Sequence, residues 1–96
     1  MSILLDDAYE LHPQVSLRDE PFGALAYHFG NRRLSFLRSH EMVRVVTELA
    51  DSPDVTTAFD RAGIETARRP SFVRALERLA AGDMIRPRRA DTAEPA

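Results

Sequence analysis

The first third of the chain alternates apolar and polar residues with a period of two. Between residues 9 and 18 the apolar positions are Tyr9, Leu11, Val15 and Leu17, separated by mostly polar residues. This alternation predicts a β-strand with one buried face. Because Pro13 has no N–H to contribute to a ladder of hydrogen bonds, we expect it on an outward or bulged part of that strand.

Two further segments, residues 23–29 and 33–38, continue the same period. The second strand carries larger and smaller side chains on opposite faces: Leu25, Tyr27 and Phe29 against Ala24, Ala26 and His28. A polar turn at residues 19–21 precedes it. Gly30-Asn31 suits the following hairpin because both residue types accept a positive φ. The sequence therefore predicts a three-stranded antiparallel meander.

From Ser39 onward the apolar residues recur with a helical period. Three helices are predicted, and Ser39 is the N-cap of the first. Asp54 caps the second, which Gly63 closes in the left-handed conformation. The third begins near Pro70 and stops at Gly82. The apolar stripe of the first helix is Met42, Val45, Val46 and Leu49.

This order of elements indicates an α+β fold, a three-stranded antiparallel meander followed by three helices. It is winged-helix-like, because a short turn joins the last two helices. At 96 residues the chain is sized for one domain. We expect a single domain over residues 1–86 and a disordered C-terminal tail over residues 87–96, which lack apolar periodicity. With no signal-peptide pattern and no long apolar run, a cytoplasmic protein is expected.

Charge is distributed unevenly along the chain. All 13 basic residues are arginine, and the formal net charge is −2. Residues 1–60 hold 5 arginines and 10 acidic residues, whereas residues 61–89 hold 8 arginines and 3 acidic residues. The last third therefore forms a basic patch on an acidic body.

Composition excludes several kinds of site. The chain has no cysteine, so it can form neither a disulfide nor a thiolate metal site nor an iron–sulfur cluster. His12, His28 and His40 are candidate metal ligands, and the first two lie on adjacent predicted strands. No helical histidine pair or carboxylate–histidine spacing accompanies them, so we interpret them as structural. No residue pair has the pattern of a nucleophile with its base.

The three-strand segment YELHPQVSLRDEPFGALAYHFGNRRLSFL, followed by three helices, resembles the peptide chaperones of mycofactocin biosynthesis. More broadly, it resembles the recognition elements of pathways that modify ribosomally made peptides, including the pyrroloquinoline quinone peptide chaperone. The resemblance covers roughly residues 8–86. It implies a non-catalytic protein without a cofactor, which binds the leader of a precursor peptide and delivers it to a separate radical S-adenosylmethionine maturase. Neither nucleic acid nor membrane is an expected partner.

The resemblance also implies where the leader binds. It is expected to add as a strand beside the third strand and to lie against the third helix. The strand positions are Arg33, Leu34, Ser35, Phe36, Leu37 and Arg38. The helix positions are Ser71, Phe72, Arg74, Ala75, Arg78 and Leu79. An unpaired strand edge also allows a homodimer through the sheet edge.

Strand addition alone provides little net affinity. Each main-chain hydrogen bond contributes about 0.5–1.5 kcal/mol, whereas each ordered residue of a flexible leader loses about 1–2 kcal/mol of backbone entropy. Apolar side-chain contacts and charge interactions must therefore supply most of the affinity for the leader. Four arginines of the expected site favour acidic residues, so we predict a leader with alternating aliphatic and acidic residues.

Five phenylalanines are candidates for the core: Phe22, Phe29, Phe36, Phe59 and Phe72. Since so small a domain has few other large apolar residues, we expect at least three of them to be buried. Phe36 and Phe72 are expected to line the floor of the peptide cleft.

A DNA-binding regulator is the alternative function. The last two helices have the order of a helix-turn-helix, and arginines lie at the start of the third helix and beyond its end. The acidic N-terminal half argues against this alternative, because it would repel a phosphate backbone. The arginines concerned are Arg68, Arg69, Arg86, Arg88 and Arg89.

Overall fold

The computed structural model describes residues 5–88 as an α+β domain. The predicted fold class, meander and three helices are confirmed. In chain order the elements are β1 (Tyr9–Leu11), β2 (Val15–Glu20), β3 (Gly23–His28), β4 (Leu34–Leu37), α1 (His40–Leu49), α2 (Val55–Ala62), a 3₁₀ turn (Thr66–Arg68), α3 (Arg69–Ala81) and β5 (Ile85–Pro87). None of these helices is both long and apolar enough to cross a membrane.

The antiparallel meander has the order β2-β3-β4. In its register Leu17 lies opposite Ala26, which in turn lies opposite Ser35. The small residues of β3 face inward: Ala24 and Ala26 are fully buried. Because these side chains are short, α1 can pack closely against the inner face of the sheet.

The expectation of one continuous first strand was wrong. Residues 9–18 form parts of two strands in different sheets, with Pro13 in the turn between them. The N–H of Val15 donates to the carbonyl of His12, and the N–H of Gln14 donates to Nδ1 of the same histidine. These hydrogen bonds reverse the chain direction, so β1 leaves the meander.

A strand after the helices was not predicted. β5 pairs antiparallel with β1, with Glu10 opposite Arg86 and Leu11 opposite Ile85. The buried residues Met84 and Ile85 join the core as the chain leaves α3. The predicted tail therefore begins too early: Pro87 belongs to β5. Residues 89–96 lie outside the described part of the chain, and the prediction of disorder there stays a prediction.

The predicted helix caps are confirmed. Oγ of Ser39 accepts the N–H of Met42, and a carboxylate oxygen of Asp54 accepts the N–H of Thr57. Hydrogen bonds from the Thr57 side chain and backbone hold the pKa of Asp54 below its usual range. Gly63 ends α2 with φ of 75°. These caps satisfy N–H and C=O groups that the helix ends leave free.

The expected positive φ at Gly30-Asn31 was misplaced. In the β3–β4 loop the left-handed residue is Arg32, at 63°. Gly30 is in a tight position for a different reason: an added Cβ would lie 2.4 Å from Oε1 of Gln14, which can turn aside, and 2.8 Å from Cε1 of the buried His28 ring. The side chain of Asn31 accepts the N–H of Arg33 and stabilises the loop.

The expectation of at least three buried phenylalanines was also wrong. Phe59 and Phe72 are buried and pack edge to face, with ring centroids 6.2 Å apart. The exposed fractions of Phe22, Phe29 and Phe36 are 43%, 62% and 53%. Apolar residues of the helices, of the connection after α2 and of the segment after α3 fill the space instead, including Val45, Leu49, Val55, Ile64, Leu76, Met84 and Ile85.

Candidate peptide-binding cleft

Among residues 5–88, β4 is an edge strand of the meander and pairs only with β3. The N–H of His28 donates to the carbonyl of Arg33, which sets the phase of the β3–β4 ladder. Antiparallel pairing alternates, so Ser35 and Leu37 direct their N–H and C=O groups toward β3. Leu34 and Phe36 direct theirs toward the free edge.

A cleft of about 450 Å³ separates this edge from α3. Its strand side continues into the first turn of α1, and its helix side is one face of α3. The lining residues are Ser35, Phe36, Leu37, Arg38, Ser39, Met42, Ser71, Phe72, Ala75, Arg78 and Leu79. A second, smaller hollow adjoins it, lined by Arg33, Leu34, Ser35, Arg78, Ala81 and Gly82.

The structure brings together all but one of the residues assigned to the site from the sequence. Nine of them line the main cleft, and Arg33 and Leu34 line the adjoining hollow. Arg74 lies on α3 but lines neither hollow. Sequence reasoning missed Ser39 and Met42, whose helical spacing marked them only as a cap and a core residue.

The cleft has an apolar floor and a positively charged rim. Leu37, Met42, Phe72 and Leu79 form the floor and are each less than a tenth exposed: Leu37 at 2%, Met42 at 6%, Phe72 at 8% and Leu79 at 7%. Arg38 and Arg78 lie at the rim, and no lining residue is acidic. Such a cleft suits an apolar segment that carries negative charge.

Phe36 contributes to the mouth of the cleft and not to the expected floor. Phe36 is more than half exposed, because its side chain lies on the face of the sheet opposite to the one that packs against α1. The guanidinium carbon of Arg38 lies 5.5 Å from the ring centroid. This cation–π contact holds an arginine beside the free edge.

An ion pair braces one end of the cleft. Arg68 donates two hydrogen bonds to the carboxylate of Glu41, of 2.8 and 2.5 Å, and its guanidinium carbon lies 5.4 Å from the centroid of Phe72. Glu41 is in the first turn of α1 and Arg68 immediately precedes α3. The pair therefore links the two helices that border the cleft.

We predict that this brace makes stability depend on pH. The hydrogen bond from Arg68 holds the pKa of Glu41 below its usual range. The contribution of the Glu41–Arg68 ion pair to the free energy of unfolding is therefore full above the pKa of about 4.5 that Glu41 has in the unfolded chain. It is lost as pH falls through the lower pKa of the folded state. Glu41→Gln should unfold at lower urea concentration than the parent near neutral pH, and the two midpoints should converge in acid.

Glu48→Gln on the same helix is the matched control for the loss of one negative charge. It should change the urea midpoint less than Glu41→Gln does near neutral pH. A Glu41→Gln midpoint that differs from the parent equally at neutral and acid pH would show that the carboxylate does not cause the effect.

Most arginines of the DNA-binding alternative are engaged within the domain. Arg68 pairs with Glu41, as described above. Arg69, Arg86 and Arg88 bond respectively to Asp60, to Glu10, and to the carbonyls of Leu49, Ala50 and Ser52. Arg88 thereby caps the carboxyl end of α1, where a cation is favoured. Arg89 lies outside the described residues.

The structure brings two of the three candidate metal ligands together. The rings of His12 and His28 are 4.3 Å apart, and their Nε2 atoms lie 3.7 and 3.4 Å from one oxygen of Asp83. The third, His40, bonds to the carbonyl of Pro21 instead. The cluster thus joins the β1–β2 turn, the end of β3 and the turn after α3.

The hydrogen bonds of this cluster do not suit a metal. Nδ1 of His12 accepts one backbone N–H, and Nδ1 of His28 accepts two. The ring proton must then be on Nε2 in both residues, whereas an imidazole that binds a metal through Nε2 normally keeps its proton on Nδ1. We therefore assign the cluster a structural role. The buried Nε2 of His28 lies 3.4 Å from the Asp83 carboxylate but has no hydrogen-bond partner among residues 5–88.

The sequence profile of the Peptide chaperone MftB family matches residues 8–86. The chain belongs to this family. The Peptide chaperone MftB of Mycobacterium tuberculosis is 47% identical over 83 residues, covering 86% of this chain and 76% of that protein. Its counterpart in Mycobacterium ulcerans is 46% identical over 86 residues, covering 90% and 79%.

A third relative, the Peptide chaperone MftB of Mycolicibacterium smegmatis, is 45% identical over 82 residues, covering 85% of this chain and 80% of that protein. The family resemblance drawn from the sequence is confirmed, and the chain is a peptide chaperone. No solved structure matches it. Its likeness to a winged helix therefore stays a prediction.

Proposed function

We propose that this member of the MftB family binds the leader of a ribosomally made precursor peptide by strand addition. The leader pairs with the free edge of β4 and lies in the cleft against α3. The chaperone then delivers the peptide to a radical S-adenosylmethionine maturase in mycofactocin biosynthesis and itself catalyses no reaction. The observation that carries the proposal is the position of a free strand edge directly beside an apolar cleft.

The main-chain groups of Leu34 and Phe36 supply the pairing. An extended peptide beside β4 would exchange hydrogen bonds with these residues and extend the meander to four strands. Ser35 and Leu37 are already paired with β3. Hydrogen bonds between the leader and β4 are therefore expected at alternate residues of the strand.

The floor and rim of the cleft supply the remaining affinity. Leader side chains that point into the cleft would bury aliphatic groups against Leu37, Phe72 and Leu79, at roughly 25 cal/mol for each Å² removed from water. Arg38 and Arg78 at the rim favour leader carboxylates and speed association. This chemistry supports the expectation that the leader alternates aliphatic and acidic residues.

We predict that acidic residues of the leader strengthen binding. In a titration followed by isothermal calorimetry, replacing the acidic residues of the leader by lysine should weaken binding about tenfold or more at low salt. Added salt should reduce the difference, because it screens exposed charges. Equal binding of the acidic and lysine leaders at low salt would contradict the electrostatic part of the proposal.

A DNA-binding function has little support from the structure. Four of its five arginines, Arg68, Arg69, Arg86 and Arg88, already have partners among residues 5–88. The titration distinguishes the two functions directly, because a duplex DNA in place of the leader should produce no saturable heat.

A further inference from the structure

The side of the meander that faces away from α1 carries a second surface, separate from the cleft floor. We call it the outer face and define it by Phe22, Leu25, Tyr27, Phe29, Leu34 and Phe36. Leu25 lies opposite Phe36 and Tyr27 opposite Leu34 in the β3–β4 register. Phe22 packs edge to face on Phe36, and Phe29 on Tyr27, with centroids 6.0 and 5.0 Å apart. The six side chains thus form one continuous apolar patch.

Residues 5–88 leave this patch open to solvent. More than half of the surface of Phe29, Leu34 and Phe36 is exposed, while α1 packs on the opposite face of the sheet. Four of the five exposed large apolar residues of the described chain belong to the outer face. A contiguous apolar patch of this kind on a small domain marks an interaction surface.

The charges beside the patch indicate the chemistry of its partner. Arg18 lies on β2 opposite Leu25, and Arg38 lies over the ring of Phe36. Glu20, the acidic residue on the outward side of β2, pairs with Arg18 and offsets part of its charge, so Arg38 contributes most of the positive charge beside the patch. A partner with carboxylates around an apolar surface would complement this arrangement, whereas a second copy of the chain would bring the same two arginines.

We infer that the outer face is the surface by which the peptide-loaded chaperone docks onto a protein partner that presents an apolar surface bordered by carboxylates. The inference rests on the proposed function, in which that partner is the maturase. Strand addition makes the docking surface larger, because alternate side chains of an added strand point to the outer face. The complete surface then exists only when the leader is bound, so the partner would prefer the loaded chaperone.

The two phenylalanines in turns provide a test that spares the cleft. Phe22 and Phe29 line neither hollow. The double variant Phe22→Ser, Phe29→Ser should bind the leader within about twofold of the parent. Binding of the leader-loaded variant to the purified radical S-adenosylmethionine maturase should weaken by at least about tenfold. The parent should bind the maturase more tightly with the leader than without it.

Leu5→Ser is the matched control, because Leu5 is 43% exposed, like Phe22, but lies outside the sheet beside α2. Arg18→Glu should also weaken maturase binding, with a difference that salt reduces, whereas Arg44→Glu on α1 should not. The two controls separate the outer face from a general effect of surface hydrophobicity or charge.

Three results would overturn the inference. The loaded double variant could bind the maturase as the parent does. The maturase could bind the parent equally with and without the leader. Sedimentation could show a parent dimer that the double variant loses, so that a second copy covers the face. Failure of the parent to bind the leader would instead contradict the proposed function.

Discussion

Ala75→Trp should abolish leader binding while leaving the domain folded. Ala75 lies partly exposed on the wall of the cleft, in the middle of α3. An indole at this position would occupy the space that a leader strand needs, and the floor residues would be covered. We expect the affinity for the leader to fall by at least about 100-fold. Calorimetric titration and the urea midpoint, measured on the same preparation, check both parts of the prediction.

The variant avoids an ambiguity that affects the floor residues. Truncating a buried side chain such as Phe72 costs about 3–5 kcal/mol of stability, so lost binding there could reflect unfolding. Tryptophan replaces alanine in a helix at a cost below about 1 kcal/mol. Arg74→Trp is the matched control, because the neighbouring residue is exposed and lines neither hollow. Similar leader affinities for the two variants would contradict the assignment of the cleft.

Gly23→Ala should destabilise the domain more than the same substitution at any of the other three glycines. A Cβ at Gly23 would lie 2.1 Å from the carbonyl oxygen of Leu37 and 3.1 Å from two backbone atoms of Ser39. All three atoms belong to the backbone, so no side chain can turn aside to relieve the clash. The backbone of this residue also has a φ of 150°, a conformation that residues with a side chain rarely adopt. We expect a loss of about 3–5 kcal/mol in the free energy of unfolding.

The clash would reach the cleft as well, because Leu37 and Ser39 line it. Relieving it requires β4 and the start of α1 to move away from β3. Gly63→Ala is the control for conformation alone: Gly63 has φ of 75°, but no atom lies within 4 Å of the added Cβ. It should cost only about 1–2 kcal/mol. Equal urea midpoints for the two variants would show that the close approach at Gly23 is unimportant.

Local signals in the sequence predicted the helix ends, because each end depends only on residues a few positions away. Ser39 and Asp54 cap their helices, and Gly63 closes α2, as their types and spacing indicate. β5 could not be predicted in this way. It has only three residues, and its partner β1 lies about 75 positions earlier in the chain. Pairing over such a distance is decided by the folded core and leaves no local pattern.

The faces of the meander show a second limit of the pattern. A period of two separates the side chains of β3 into two sets but does not say which set is buried. Large residues suggested a core of phenylalanines, whereas the close approach of α1 buries Ala24 and Ala26 instead. Most of the cleft residues were assigned through the family resemblance. Their convergence on one cleft depends on how α3 lies relative to β4, which no local signal specifies.

Amide hydrogen exchange of single residues distinguishes strand addition of the leader to β4 from every other mode of binding. In the free protein, Ser35 and Leu37 pair with β3, while the amides of Leu34 and Phe36 face the free edge. Saturating leader should slow the exchange of Leu34 and Phe36 by at least about tenfold. The amides of Ser35 and Leu37 should change much less. A leader that binds tightly but leaves the exchange of Leu34 and Phe36 unchanged would contradict strand addition.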